Sequence, residues 1–355
     1  MRWRRAVQGG SAVMVVAGGV VIALVLTPGA VRNGTPPQPT PAVVAPRDGQ
    51  QRGVALPTYT AEGYRSPQAV RYLGEIAAIG ATWVQFNPTW HQHGARSATI
   101  AASADTPTDA ALEHIVSAAH RAGLKVLLKP LLDLAGAEPG YRGTIRPADP
   151  AAWFASYTAF IGHYADLAAR LNVAEFAVGT ELAGVSGDRA GWLRVIEAVR
   201  LRYHGRLLYA ANFDEYRQVG FWHAVDLIGI DAYFKLSDRP TTDVDGLRRA
   251  WAPIVRELAD LAARTGRSVL FTEAGYTSRR GSTTAPWDWT TGSTPDQAEQ
   301  AAAYQALLAG LSDQPWWAGV FWWCWDVPPE QTATDPLGYS PHGKAAEAVV
   351  RRWWS

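Results

Sequence analysis

The chain has 355 residues, 48% hydrophobic and 18% charged, a composition that excludes a disordered polymer and fits a folded globular protein. Its net charge of +1 offers no field to attract nucleic acid, and its single cysteine, Cys324, excludes an intrachain disulfide. The 16 tryptophans stand out, because an indole face packs as well under the apolar face of a sugar ring as in a core.

The chain opens with Met1-Arg2-Trp3-Arg4-Arg5 and enters an apolar run from Ala12 to Leu26. Extended back through Ala6 and Val7, the run reaches the roughly 17–25 residues of a spanning helix. Thr27-Pro28-Gly29-Ala30 matches a small-x-small cleavage site poorly, so residues 1–31 read as an uncleaved membrane anchor, with a cleaved signal segment as the alternative. Either way the arginines stay cytoplasmic and the rest is exported, to the extracellular side of the cell membrane. Residues 32–51, rich in Pro with Thr and Gln, read as an extended linker.

Residues 52–355 read as one domain in which a short apolar run alternates with a stretch of helical length. The apolar runs are Gly53–Leu56, Thr82–Phe86, Lys125–Leu131, Glu175–Val178, Arg206–Ala210, Val225–Tyr233, Ser268–Phe271 and Ala318–Trp325. Helices are predicted over Ser66–Ile79, Thr108–Ala122, Pro150–Leu171, Asp188–Tyr203, Asp245–Thr265 and from Thr294-Pro295 to Leu311. Only a turn or two fits between the fifth and sixth runs. Eight strands of buried type alternating with helices imply a parallel sheet, closed as a (β/α)8 TIM barrel. An open doubly wound sheet would usually carry a Gly-rich phosphate loop after its first strand, and Leu56-Pro57-Thr58-Tyr59 is not one.

The fourth and seventh strands end in glutamates, Glu181 and Glu273, each after a small residue and a threonine. One strand-end glutamate more often caps a helix or pairs with lysine, but two in the same context weigh against coincidence. Carboxylates at the C-terminal tips of barrel strands point into the usual active-site mouth, and a pair of them is what retaining glycoside hydrolysis requires. Other strand tips carry Asn87 and Trp90, Lys129, Asn212, Tyr233 and the cluster Trp322, Trp323 and Trp325. Such polar and aromatic groups suit a neutral polyhydroxy ligand. Lys129 fits a rim salt bridge equally well, and Tyr233 fits a core. His91-Gln92-His93 raises a metal site, yet the further His and Asp ligands on later strand tips are missing, so neither metal nor organic cofactor is expected.

With these motifs in place the chain resembles glycoside hydrolase family 113, from Gly53 to the C-terminus. The resemblance is carried by Val178-Gly179-Thr180-Glu181-Leu182, Thr272-Glu273-Ala274-Gly275-Tyr276, Lys129-Pro130 and Tyr339-Ser340-Pro341-His342-Gly343-Lys344. It implies a retaining (β/α)8 glycosidase with Glu181 as acid/base, Glu273 as nucleophile and β-1,4-mannan as the substrate class. Thr180 departs from the wider clan, which carries asparagine before the acid/base to bind the sugar 2-hydroxyl; Asn212 or Lys129 is expected to take that role. Asn87, Trp90, Tyr233 and Trp323 complete the expected substrate site, with Tyr233 bonding Glu273 and Trp323 or Trp90 stacking under a sugar. The expected partners are a polysaccharide or oligosaccharide and, through residues 1–31, a membrane, with the protein a monomer. Two other classes remain open: a carbohydrate-binding barrel without catalysis, and a metal-dependent hydrolase using His91 and His93.

Overall fold

The computed structural model describes residues 49–135, 140–290, 292–327 and 335–355. The expected anchor and nearly all of the expected linker lie outside these residues. Among the described residues no helix is long and apolar enough to cross a membrane.

The chain forms strands β1 (Gln51–Ala55), β2 (Trp83–Phe86), β3 (Thr89–His93), β4 (Ile100–Ala101), β5 (Lys125–Leu128), β6 (Leu131–Ala135), β7 (Glu175–Thr180), β8 (Arg206–Asn212), β9 (Leu227–Asp231), β10 (Ser268–Ala274) and β11 (Trp317–Trp322). Eight of them close a parallel barrel in the order β1-β11-β10-β9-β8-β7-β5-β2. These are the eight apolar runs read from the sequence. The connection between β8 and β9 holds a single 3-10 turn, Trp222–Ala224, as its length required.

The other three strands form a small sheet, β4-β3-β6, that the sequence reading did not separate. Each of its two parallel strands continues a barrel strand after a proline. Asn87-Pro88 separates β2 from β3, and Lys129-Pro130 separates β5 from β6. Proline has no N–H for the ladder, so the barrel pairing stops there and the strands re-pair beyond it, Thr89 with Leu131 through His93 with Ala135.

Helices α1 (Pro67–Ala78), α2 (Asp109–Arg121), α3 (Pro150–Arg170), α4 (Arg189–Arg200), α5 (Val244–Thr265) and α6 (Gln297–Leu311) follow the predicted spans. Ser66, Thr108, Asp149, Asp188, Asp243 and Asp296 each accept an amide hydrogen bond in the first turn of these helices. A cap of this kind is worth about 1 kcal/mol. Helix α7 (Ala345–Trp354), not predicted, buries Trp353 and Trp354. Trp353 donates its indole N–H to Gln305 on α6 at 3.0 Å.

Side chains alternate between the two faces of each barrel strand. One set fills the barrel interior, with Trp83, Leu127, Leu208, Leu270 and Phe321 in a single cluster; the other packs beneath the helices. Gly53 is required here, because a Cβ would strike the Phe321 ring. At the N-terminal end of the barrel, Glu175 is buried, accepts from Gln51 Nε2 at 2.7 Å and pairs with Arg206. The interior is therefore closed below, and the C-terminal tips of the strands are left to form a mouth.

Candidate active site

Glu181 follows the last residue of β7. The register of β7 against β8 shifts between Ala177 and Thr180, and the Glu181 N–H donates to the Ala210 carbonyl at 2.8 Å. Its φ of 53° lies in the left-handed region, uncommon for a residue with a side chain. Glu273 lies on β10 opposite Asp231 of β9, just after another shift in register. Both glutamates line one cleft of about 730 Å³, within the usual range for a small-molecule or oligosaccharide site.

The two carboxyls meet different surroundings. Glu273 receives Lys129 Nζ on Oε1 at 2.5 Å and the Tyr233 hydroxyl on Oε2 at 2.6 Å. Lys129 also donates to both Asp231 oxygens, at 2.9 and 3.0 Å, and the Thr272 hydroxyl donates to Asp231 at 2.7 Å. Burial alone would lower the Lys129 ammonium, but the charges of Asp231 and Glu273 outweigh it and hold the group above the ordinary lysine range. Burial and the neighbouring Glu273 charge push Asp231 up to about 6, against Lys129 and Thr272.

Among the described residues Glu181 accepts one side-chain hydrogen bond, from Arg142 Nη1 at 3.0 Å. Burial drives its carboxyl well above the usual range, the negative charges of Asp231 and Glu273 add to the rise, and Arg142 and Lys129 oppose it. A carboxyl that holds a proton more tightly than usual thus shares a cleft with one surrounded by donors. Such a pair can deliver a proton at one point and an oxygen nucleophile at another. Behind them, Glu215 accepts from the Tyr209 hydroxyl at 2.6 Å and the Asn212 N–H at 2.9 Å, and burial raises it to about 7. Tyr209 in turn accepts from the Leu182 N–H at 3.1 Å, which ties the β8 tip to the residue after Glu181.

Of the residues singled out in the sequence, Asn212, Tyr233 and Trp323 line this cleft. Asn87, Trp90, Lys129, Trp322 and Trp325 do not. Lys129 has no solvent exposure and is not among the residues that line the cleft; its ammonium bonds the Asp231 and Glu273 carboxylates. Asn87 is also buried, its amide donating to the Lys129 carbonyl at 3.2 Å. Trp90 faces away from the mouth: beyond Pro88 its strand has left the barrel, and its ring packs on Phe160, His163 and Tyr164 of α3. From the tryptophan cluster only Trp323 enters the cleft. Trp322 stacks on Tyr304 at 3.9 Å, and Trp325 lies against His342 at 4.0 Å.

Much of the rim is built from residues that no sequence motif marks. Tyr59, Tyr141 and Trp287 are each about half exposed and Trp289 is 65% exposed, and all four line the cleft. Trp287 is steadied by stacking on Phe213 at 5.2 Å. Trp287 and Trp289 fall in a loop, Pro286-Trp287-Asp288-Trp289-Thr290, with no strand or helix face on which to bury them. That was the available signal. Arg142 and Asp133 line the cleft as well. His91 and His93 lie on β3 and do not line the cleft, and among the described residues no three His, Cys, Asp or Glu side chains gather to hold a metal.

The sequence profile of Glycoside Hydrolase Family 113 matches residues 57–344. Among solved structures, the GH113 β-mannanase of Alicyclobacillus acidocaldarius in complex with ManMIm is 30% identical, with a TM-score of 0.77 over 86% of this chain and 97% of that one. A second structure, of a GH113 β-1,4-mannanase complex, is 25% identical with a TM-score of 0.76, covering 86% and 98% of the two chains. A third, also a GH113 β-1,4-mannanase, is 24% identical with a TM-score of 0.78 over 87% and 99%, a likeness of fold. No curated protein matches the chain.

Proposed function

The chain belongs to glycoside hydrolase family 113, and from that premise we propose that it hydrolyses β-1,4-linked mannan or manno-oligosaccharides with retention of configuration. The observation that carries the reading is the contrast within one cleft: Glu273 between Lys129 and Tyr233, and Glu181 with its carboxyl raised by burial.

In the first step Glu181 gives its proton to the glycosidic oxygen while a Glu273 oxygen attacks the anomeric carbon. The bond to the leaving sugar breaks and a glycosyl ester forms. In the second step a water oxygen attacks the same carbon, the ester bond breaks, and the water's proton passes to Glu181. Two displacements at one carbon restore the β configuration. Thr180 donates to the Pro130 carbonyl at 3.4 Å, so its hydroxyl is turned to the backbone. We assign the sugar hydroxyl beside the scissile bond to Asn212, whose amide lines the cleft and donates to Asp214 at 3.0 Å.

NMR of the first-formed product from manno-oligosaccharides tests the mechanism. The β anomer is expected, and the α anomer first would overturn it. From residues 1–51 we further propose that the enzyme is held on the extracellular side of the membrane. Digestion of the domain by protease added to intact cells is expected, and protection would reject this placement.

A further inference from the structure

Arg142 begins the short 3-10 turn Arg142–Thr144 and lines the cleft with its side chain 15% exposed. Its guanidinium reaches in two directions. Nε and Nη2 both donate to Oδ1 of Asp133, at 2.8 and 2.6 Å, while Nη1 donates to Glu181 at 3.0 Å. Asp133 sits in the middle of β6, opposite His91 of β3, so a paired strand anchors the clamp. A cation touching a proton donor works against the donor, because positive charge favours the ionised carboxyl. The same contact suits the second half of the reaction, in which that carboxyl must accept a proton from water.

We infer that Arg142, clamped by Asp133, is a positioning residue that fixes the Glu181 carboxyl and lets it change from acid to base between the two steps. The inference rests on the reading of Glu181 as the acid/base. Before the first step burial does most to hold the proton on Glu181, which Arg142 and Lys129 face with positive charge and Asp231 and Glu273 with negative charge. The phenols of Tyr141 and Tyr339 also face it and stay neutral, since burial raises both. Once Glu273 is an ester, its charge is gone. The balance around Glu181 then tilts toward the cations, and Arg142 is the one in contact.

The direct test needs no substrate. The Glu181 carboxyl carbon is titrated by NMR in the full chain, as wild type and as Arg142→Met. The midpoint is expected to rise by about one pH unit or more in Arg142→Met, a tenfold gain in proton affinity, and to stay near wild type in Arg142→Lys. On an aryl β-mannoside with a good leaving group, Arg142→Met should release a burst of phenol and then turn over about tenfold more slowly, with azide restoring the rate. An unmoved Glu181 titration in a folded Arg142→Met protein overturns the inference. If that variant does not fold by circular dichroism, Arg142→Gln, which keeps a donor for Asp133 without the charge, decides by the same titration. Failure of the underlying reading is distinguishable. A wild type inactive on every β-linked oligosaccharide, with the Glu181 titration still moved, would overturn both the reading and the switch.

Discussion

Lys129 holds its ammonium 2.5 Å from Oε1 of Glu273 with no part of its side chain in solvent. The same ammonium serves Asp231, so one cation answers two buried carboxylates. Removing it strands both. Lys129→Met should destabilise the fold by about 3–5 kcal/mol in urea unfolding. Adding Asp231→Asn should recover part of that loss, because one uncompensated charge goes with it. A loss under about 1 kcal/mol would show that the pair does not hold the strand tips together.

The two glutamates should separate by leaving group. Glu273→Gln and Glu181→Gln should both abolish hydrolysis of manno-oligosaccharides. On activated aryl glycosides, Glu181→Gln should still form the glycosyl-enzyme, and azide should restore turnover with a β-glycosyl azide product. Glu273→Gln should show no such rescue. Swapped behaviour would reverse the two assignments.

Stability should carry a pH signature from the closed end of the barrel. Burial raises Glu175 from 4.5 to about 7, against Arg206 and Gln51. The native state therefore binds this proton more tightly than the unfolded chain. The contribution is fully present below about 4.5 and is lost as pH rises through about 7, on the order of 3 kcal/mol in all. Glu215 and Asp231, also raised, slope the same way. Unfolding curves at several pH values should show a gain on acidification that Glu175→Gln makes shallower. An unchanged slope in that variant would mean that Glu175 is already ionised when buried.

The aromatic rim should rank by shelter. Trp323→Ala should weaken oligosaccharide binding or turnover by roughly ten- to a hundredfold, the worth of about 1–3 kcal/mol of stacking. Trp287→Ala, at a half-exposed site, should cost about threefold to tenfold. Trp90→Ala should leave KM alone and lower stability on the order of 2 kcal/mol, as its ring packs on α3. Titrating each variant with a manno-oligosaccharide separates the cases, and an unchanged affinity in Trp323→Ala would remove that ring from the site.

The barrel was legible because its evidence is local. Apolar runs, and caps such as Ser66 at the start of the predicted Ser66–Ile79 helix, each act within a few residues of themselves. Glu181 and Glu273 were legible for the same reason, each sitting at the tip of an apolar run. What escaped depends on which face a strand presents after it leaves the barrel. Asn87, Trp90 and Lys129 all border the Asn87-Pro88 and Lys129-Pro130 breaks, where pairing changes partner and the inside-outside alternation loses its reference. Arg142 and Trp287 belong to loops, where no periodicity says what a side chain will meet.

The left-handed backbone of Glu181, with φ at 53°, has a consequence for the history of the site. A side chain in that conformation costs about 1 kcal/mol or more relative to glycine. Lineages selected only to withstand heat would gain by placing glycine here, and those that kept cutting polymer would have to hold the bend. Among descendants of such a barrel, the most durable would then be those that had stopped turning over, and a hardened, silent copy would be an easy thing to evolve.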